Sequence, residues 1–117
     1  MTPETQQQHL HNILITVSKV TLSLADISME QFKSSDKMKQ LVYEDFQRIG
    51  VSADQLLMSP KGLEDIEAQI RLLSNLKGLA HNRDVDVDNE IIWNIVKNDL
   101  PTITNRIERS KNFEFSH

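Results

Sequence analysis

The stretch "LHNILITVSKVTLSL", residues 10–24, carries the clearest pattern of apolar residues in the chain. Its apolar side chains recur every three or four positions, which is the period of a helix with one apolar face and not that of a half-buried strand. The residues of this stripe are Leu10, Ile13, Leu14, Val17, Val20 and Leu24. The sequence therefore predicts a first helix over about residues 4–24 that buries one face.

The same period returns in three later segments. Ser35 is a candidate N-cap for a second helix, about residues 36–57, in which Gly50 predicts a close helix crossing or a kink. The pair Ser59–Pro60 is typical of a helix start and predicts a third helix that ends near Ala80. No segment alternates in the way of a strand, so the chain is predicted to be all-α.

The fourth helix is predicted to follow a charged loop at residues 81–87, with Asp88 as its cap. Trp93 lies off its apolar stripe, so this side chain either packs against a second element or anchors a partner. Pro101 either kinks this helix or opens a new one. The residues expected to face inward are Ile91, Ile92, Ile95, Val96 and Leu100. The predicted architecture is an up-and-down four-helix bundle whose C-terminal helix is kinked or broken at Pro101.

The composition of the 117 residues excludes several classes of protein. With no cysteine, the chain has no disulfide framework, no thiolate zinc site and no cysteine nucleophile, and this favours the cytoplasm. No apolar run is long enough to cross a bilayer, so no membrane partner is expected. We interpret residues 1–117 as one domain. Helices of about 20 residues would leave apolar seams that a second copy could cover, which favours a homodimer.

His81 is the histidine best placed for chemistry, because it is predicted to lie where the third helix meets the charged loop. Lys77 lies one turn before it on the same face, and Arg83 follows two residues after it. A histidine titrates near neutral pH, and neighbouring cations suit an anionic phosphate ligand. In the alternative reading, the His81 ring meets the last carbonyls of the helix.

The remaining histidines and aspartates do not predict a metal site. His9 and His11 are two residues apart, which on a helix points them to different faces. The acidic run at residues 84–88 imitates a calcium loop, but Asn89 stands where glycine is needed and Ile95 where glutamate is needed. We therefore expect neither a metal nor another cofactor.

The C-terminal half resembles a known family. The stretch "LKGLAHNRDVDVDNEIIWNIVKNDLPTITNRIE", Leu76 to Glu108, resembles the HepT-like proteins of the HEPN superfamily, small helical bundles that partner minimal nucleotidyltransferases in bacteria and archaea. In this stretch "GLAH" supplies the family's histidine as His81, and "EIIWNIVKNDLP", Glu90 to Pro101, follows the family's next helix closely. The segment "FQRIG", Phe46 to Gly50, is similar to the family's second-helix element.

The resemblance implies a function in RNA cleavage. It implies a ribonuclease toxin that forms a homodimer and pairs with a minimal nucleotidyltransferase antitoxin. His81 would be the catalytic residue and would serve as general acid or base when a ribose 2′-hydroxyl attacks the adjacent phosphate. An arginine of the family motif would stabilise the charge that gathers on phosphorus, and the chemistry needs no metal.

The motif is degenerate in this chain, because the family's arginine would fall within residues 74–76 and none of these is arginine. We therefore expect cleavage of RNA at His81 to be weak or lost. Affinity for bare RNA is expected to be low, because Asp84, Asp86 and Asp88 lie beside the cations that would bind it. An alternative is a non-catalytic subunit that uses Lys77, His81 and Arg83 to bind a nucleotide or a substrate of the nucleotidyltransferase. A third reading is a helical adaptor whose surface binds only protein.

Overall fold

The structure is a computed structural model that describes residues 2–81 and 89–110, and the side chains of Ala80 and His81 lie outside that description. All secondary structure within these two ranges is helical, which confirms the prediction of an all-α chain. The helices are α1 (Pro3–Ser23), α2 (Met29–Ser34), α3 (Asp36–Met58), α4 (Glu67–Ser74), α5 (Leu76–His81), α6 (Asn89–Asn94) and α7 (Leu100–Glu108). A 3₁₀ turn at Glu64–Ile66 precedes α4, and a π turn at Ile95–Asp99 joins α6 to α7.

Helix α1 buries the stripe that the sequence predicts. Five of its six apolar residues are at most 4% exposed, and the sixth, Leu14, is partly buried against them. The helix packs along α3, and a buried carboxylate joins the two. Asp45 is 2% exposed and accepts hydrogen bonds from Lys19 Nζ at 3.3 Å and Arg48 Nη1 at 3.1 Å. Two cationic donors compensate for the burial of this charge.

The connection between α1 and α3 contains a short helix, α2. Helix α2 begins with a capping box: the Ser28 hydroxyl accepts from the Gln31 N–H, and the Gln31 side chain accepts from the Ser28 N–H. Phe32 is fully buried. The predicted N-cap of α3 is confirmed, because Ser35 Oγ accepts the N–H of Met38 at 3.1 Å.

The prediction of the third helix is wrong in two respects: the helix begins later than predicted, and it is divided into two helices. Ser59–Pro60 lies in a turn, and Gly62 adopts a φ of 90°, which an α-helix does not accommodate. Helix α4 therefore begins later, at Glu67. The helical path then breaks at Asn75, and α5 continues to His81.

The C-terminal helical path is irregular next to Pro101. The N–H of Leu100 donates to the carbonyl of Ile95, five residues earlier, which makes the segment a π turn. Proline lacks an N–H, and its ring clashes with the carbonyl four residues before it in a regular helix. The widened turn accommodates both effects. The predicted cap Asp88 lies outside the described residues.

The buried face of α6 differs from the predicted one at one residue. Ile92, Val96 and Leu100 are fully buried and lie four residues apart, so they form one stripe through the π turn. Ile91 is 52% exposed, and its predicted inward orientation is wrong. Since adjacent helical residues are about 100° apart, burying Ile92 turns Ile91 away from the core.

Trp93 packs against a second element. Its ring lies 5.8 Å from that of Phe32 in α2, and Lys97 Nζ lies 4.7 Å from its centroid on another side. Lys97 Nζ also donates to the carbonyl of Leu24, just after α1, at 2.6 Å. Lys97 therefore ties the π turn to the end of α1.

Replacing Lys97 by Met is expected to lower the free energy of unfolding by about 1–2 kcal/mol. The substitution keeps the apolar stem but removes a charged hydrogen bond and a cation–π contact. Urea denaturation measures the change. The control is Lys37→Met, at an exposed position of α3, which we expect to stay within about 0.5 kcal/mol; equal losses in both variants would contradict the role of Lys97.

Within the described ranges, no helix combines the length and the apolar character that crossing a membrane requires.

Candidate functional site

The candidate site begins at a close contact between α3 and α5. A Cβ placed on Gly50 would lie 2.7 Å from the Cβ of Lys77 and 2.9 Å from its backbone N. Real Cβ atoms do not approach other atoms this closely, so only glycine fits at this point of α3. The close crossing that Gly50 predicts is therefore confirmed, and it brings Lys77 against α3.

A carboxylate lies one turn beyond this contact on α3. Asp54 accepts a hydrogen bond on Oδ1 from the Ser74 hydroxyl and another on Oδ2 from Lys77 Nζ. Ser74 is the last residue of α4, and Lys77 lies in α5. Asp54 thus contacts both sides of the helix break at Asn75 and ties both short helices to α3.

The cluster of Asp54, Ser74 and Lys77 is accessible to solvent. The side chain of Asp54 is 32% exposed and that of Lys77 is 38% exposed. An ion pair at this depth is partly screened by water, so a dissolved anion can reach the ammonium group. Such an anion has to compete with Asp54, which the fold holds in place.

The predicted site residues are described to different extents. His81 lies on α5, one turn after Lys77, and its side chain lies outside the described part of the structure. Arg83 lies wholly outside it. Lys77 is described, and its ammonium group is paired with Asp54. The structure therefore brings together Lys77 and Asp54, a pairing that the sequence analysis does not contain.

A groove lies on another face of α4 and α5, against the π turn and α7. Its volume is about 450 Å³. Its lining is mostly apolar and consists of Leu72, Leu76, Leu79, Ile95, Leu100 and Ile103, with Asn75, Asp99 and Thr102 as its polar members. None of these lining residues is a cation, and Asp99 repels an anion. The groove therefore does not suit a nucleotide phosphate.

The histidines of α1 do not form a metal centre. Among residues 2–81 and 89–110, no group of three His, Asp or Glu side chains is arranged to hold a metal ion. The Nδ1 atom of His9 is buried without a hydrogen-bond partner. We assign no function to this atom.

Asp54 and Ser74 are the site residues that the sequence analysis misses. They are 20 residues apart in the chain. Asp54 belongs to no recognisable motif, and Ser74 is one of the positions where the resemblance implies an arginine that this chain lacks. The available signal is Gly50: a glycine inside an apolar helix marks a close crossing, and a polar residue one turn later lies beside the helix that crosses there.

Comparisons of this chain with protein-family models, with curated proteins and with solved structures found no match.

Proposed function

We propose that this chain is a HepT-like protein of the HEPN superfamily and folds as an up-and-down four-helix bundle. In this proposal it is the ribonuclease toxin component of a nucleotidyltransferase toxin–antitoxin pair in the cytoplasm. It forms a homodimer and cleaves RNA at His81 weakly or not at all. The proposal rests on the resemblance of residues 76–108, and the helical architecture is compatible with it.

One observation carries the proposal furthest: His81 lies on α5, with Lys77 one turn earlier on the same helix. The segment that resembles the family's next helix, Glu90 to Pro101, is also helical in the structure and extends through α6 and the π turn into α7. Helices therefore lie before and after residues 82–88, which supports the proposal.

The proposed weakness of catalysis follows from the residues that stand in place of the family's arginine. The Ser74 hydroxyl donates to Asp54, Leu76 is 5% exposed, and Asn75 is neutral. None of these side chains can place a positive charge on a pentacoordinate phosphorus as a guanidinium does. Lys77 is cationic, but Asp54 holds its ammonium group.

Exposed apolar side chains support a protein partner. Ile15 and Leu22 are 65% and 71% exposed and lie seven residues apart, on one face of α1. Leu72 is 53% exposed at the apolar groove. We propose that the second copy and the nucleotidyltransferase cover these side chains.

Coexpression tests the pairing. If a minimal nucleotidyltransferase is encoded beside this chain, we expect the two proteins to copurify, and light scattering of this chain alone to give the mass of a dimer. A monomer in solution, together with neighbouring genes that encode no nucleotidyltransferase, would contradict the proposal.

A further inference from the structure

We propose that Asp54 is a built-in competitor for anions at Lys77 and thereby restrains the binding of phosphate beside His81. The proposal rests on the function proposed above, because Lys77 lies one turn before His81 on α5. It assigns a regulatory contact to a residue outside the resemblance.

The geometry gives Asp54 an advantage over a dissolved anion. Its carboxylate is fixed on α3, one turn from the point where Gly50 lets the two helices touch. A second donor, the Ser74 hydroxyl, orients it. Because the carboxylate is already next to Lys77 Nζ, it competes as an intramolecular group, without the entropic cost of bringing a ligand from solution.

The charges explain the consequence for binding. Asp54 and Lys77 together carry no net charge, so the pair offers little electrostatic attraction to a phosphate. If a neutral group replaces the carboxylate, the ammonium group of Lys77 loses its anionic partner. The Lys77 side chain is 38% exposed, so a dissolved phosphate can then bind it. One added charge-assisted contact to phosphate strengthens binding by about tenfold.

Asp54→Asn is the decisive substitution, because it removes the charge and keeps the size of the side chain. Calorimetry with tripolyphosphate is expected to show about tenfold tighter binding than the wild type. For a single-stranded RNA oligonucleotide, the slope of log Kd against log salt is expected to steepen by about 0.7, the contribution of one phosphate contact. A purely structural role of Asp54 does not steepen this slope.

Three variants serve as controls. Glu44→Gln removes one negative charge from an exposed position of the same helix and is expected to leave both readouts near the wild type. Ser74→Ala removes the second donor to Asp54 and keeps the carboxylate, so it is expected to give no gain. Asp54→Asn combined with Lys77→Met is expected to lose the gain.

The outcomes separate this inference from the proposed function. A gain of tripolyphosphate affinity in Asp54→Asn that disappears with Lys77→Met supports the inference, even if the protein cleaves no RNA. The inference is overturned if Asp54→Asn matches Glu44→Gln, if binding is too weak to measure in both, or if the gain survives Lys77→Met. Cleavage of RNA that depends on His81 would then still support the proposed function.

Discussion

Replacing Gly50 by Ala is expected to lower the free energy of unfolding by about 1–3 kcal/mol, even though alanine is the better helix former. The added methyl group would lie 2.7 Å from the Cβ of Lys77 and 2.9 Å from its backbone N. A backbone atom cannot turn aside as the end of a long side chain does. The whole of α5 has to move away from α3 to make room, and the pairing of Lys77 with Asp54 is strained by the same movement.

A second glycine provides the matched control. Gly78 lies next to Lys77 in α5, and a Cβ at this position would contact no atom of another described element within 4 Å. Gly78→Ala is expected to raise stability by up to about 1 kcal/mol, through helix propensity alone. Urea denaturation of both variants measures the difference. Equal stability of Gly50→Ala and Gly78→Ala would show that the helices do not touch at Gly50.

The sequence predicts those parts of the fold that depend on local patterns. The stripe of α1 needs only its own spacing, and the Ser35 cap needs only the N–H three residues later. The capping box of α2 is also a local pattern that the sequence contains, since Ser28 and Gln31 have the required spacing. The turn at Gly62 could not be predicted in this way, because a glycine adopts a positive φ only where the folded chain requires it.

The sequence does not predict which face of a helix is buried when adjacent residues are both apolar, nor which distant residues contact each other. Ile91 and Ile92 are both apolar, and only packing against the rest of the core decides that Ile92 is buried. At the site, the spacing of Lys77 and His81 on one helix could be read directly. The contact of Asp54 with Lys77 spans 23 residues, and it depends on how closely α3 and α5 approach each other.

Restoring an arginine is expected to give the largest change in activity. Ser74 lies seven residues before His81, which on one continuous helix would be two turns along the same face. Asn75 between the two helices keeps helical angles of −67° and −17°, so the phase is nearly preserved. In Ser74→Arg, two cations share the single carboxylate of Asp54, so one positive charge remains to stabilise charge on phosphorus, and we expect RNA cleavage about 10²-fold faster than in the wild type.

Two further variants test whether the effect comes from the guanidinium or from a local disturbance at Ser74. Asn75→Arg places the guanidinium at an exposed position and leaves the Ser74 contact with Asp54 intact. Ser74→Lys adds the same charge without the planar fork of arginine and is expected to give a smaller gain. Thermal melting confirms that each variant is folded. If both arginine variants are folded and cleave no faster than the wild type, the assignment of residues 74–76 to the motif is wrong.

The role of His81 is tested most directly by its removal from the arginine-containing protein. In this measurement a defined single-stranded RNA is incubated with Ser74→Arg, with or without His81→Ala, in the presence of EDTA. The proposed mechanism predicts metal-independent cleavage that leaves 2′,3′-cyclic phosphate ends and falls at least about 10²-fold when His81 is replaced. Cleavage at an unchanged rate without His81, or cleavage that EDTA abolishes, would contradict it.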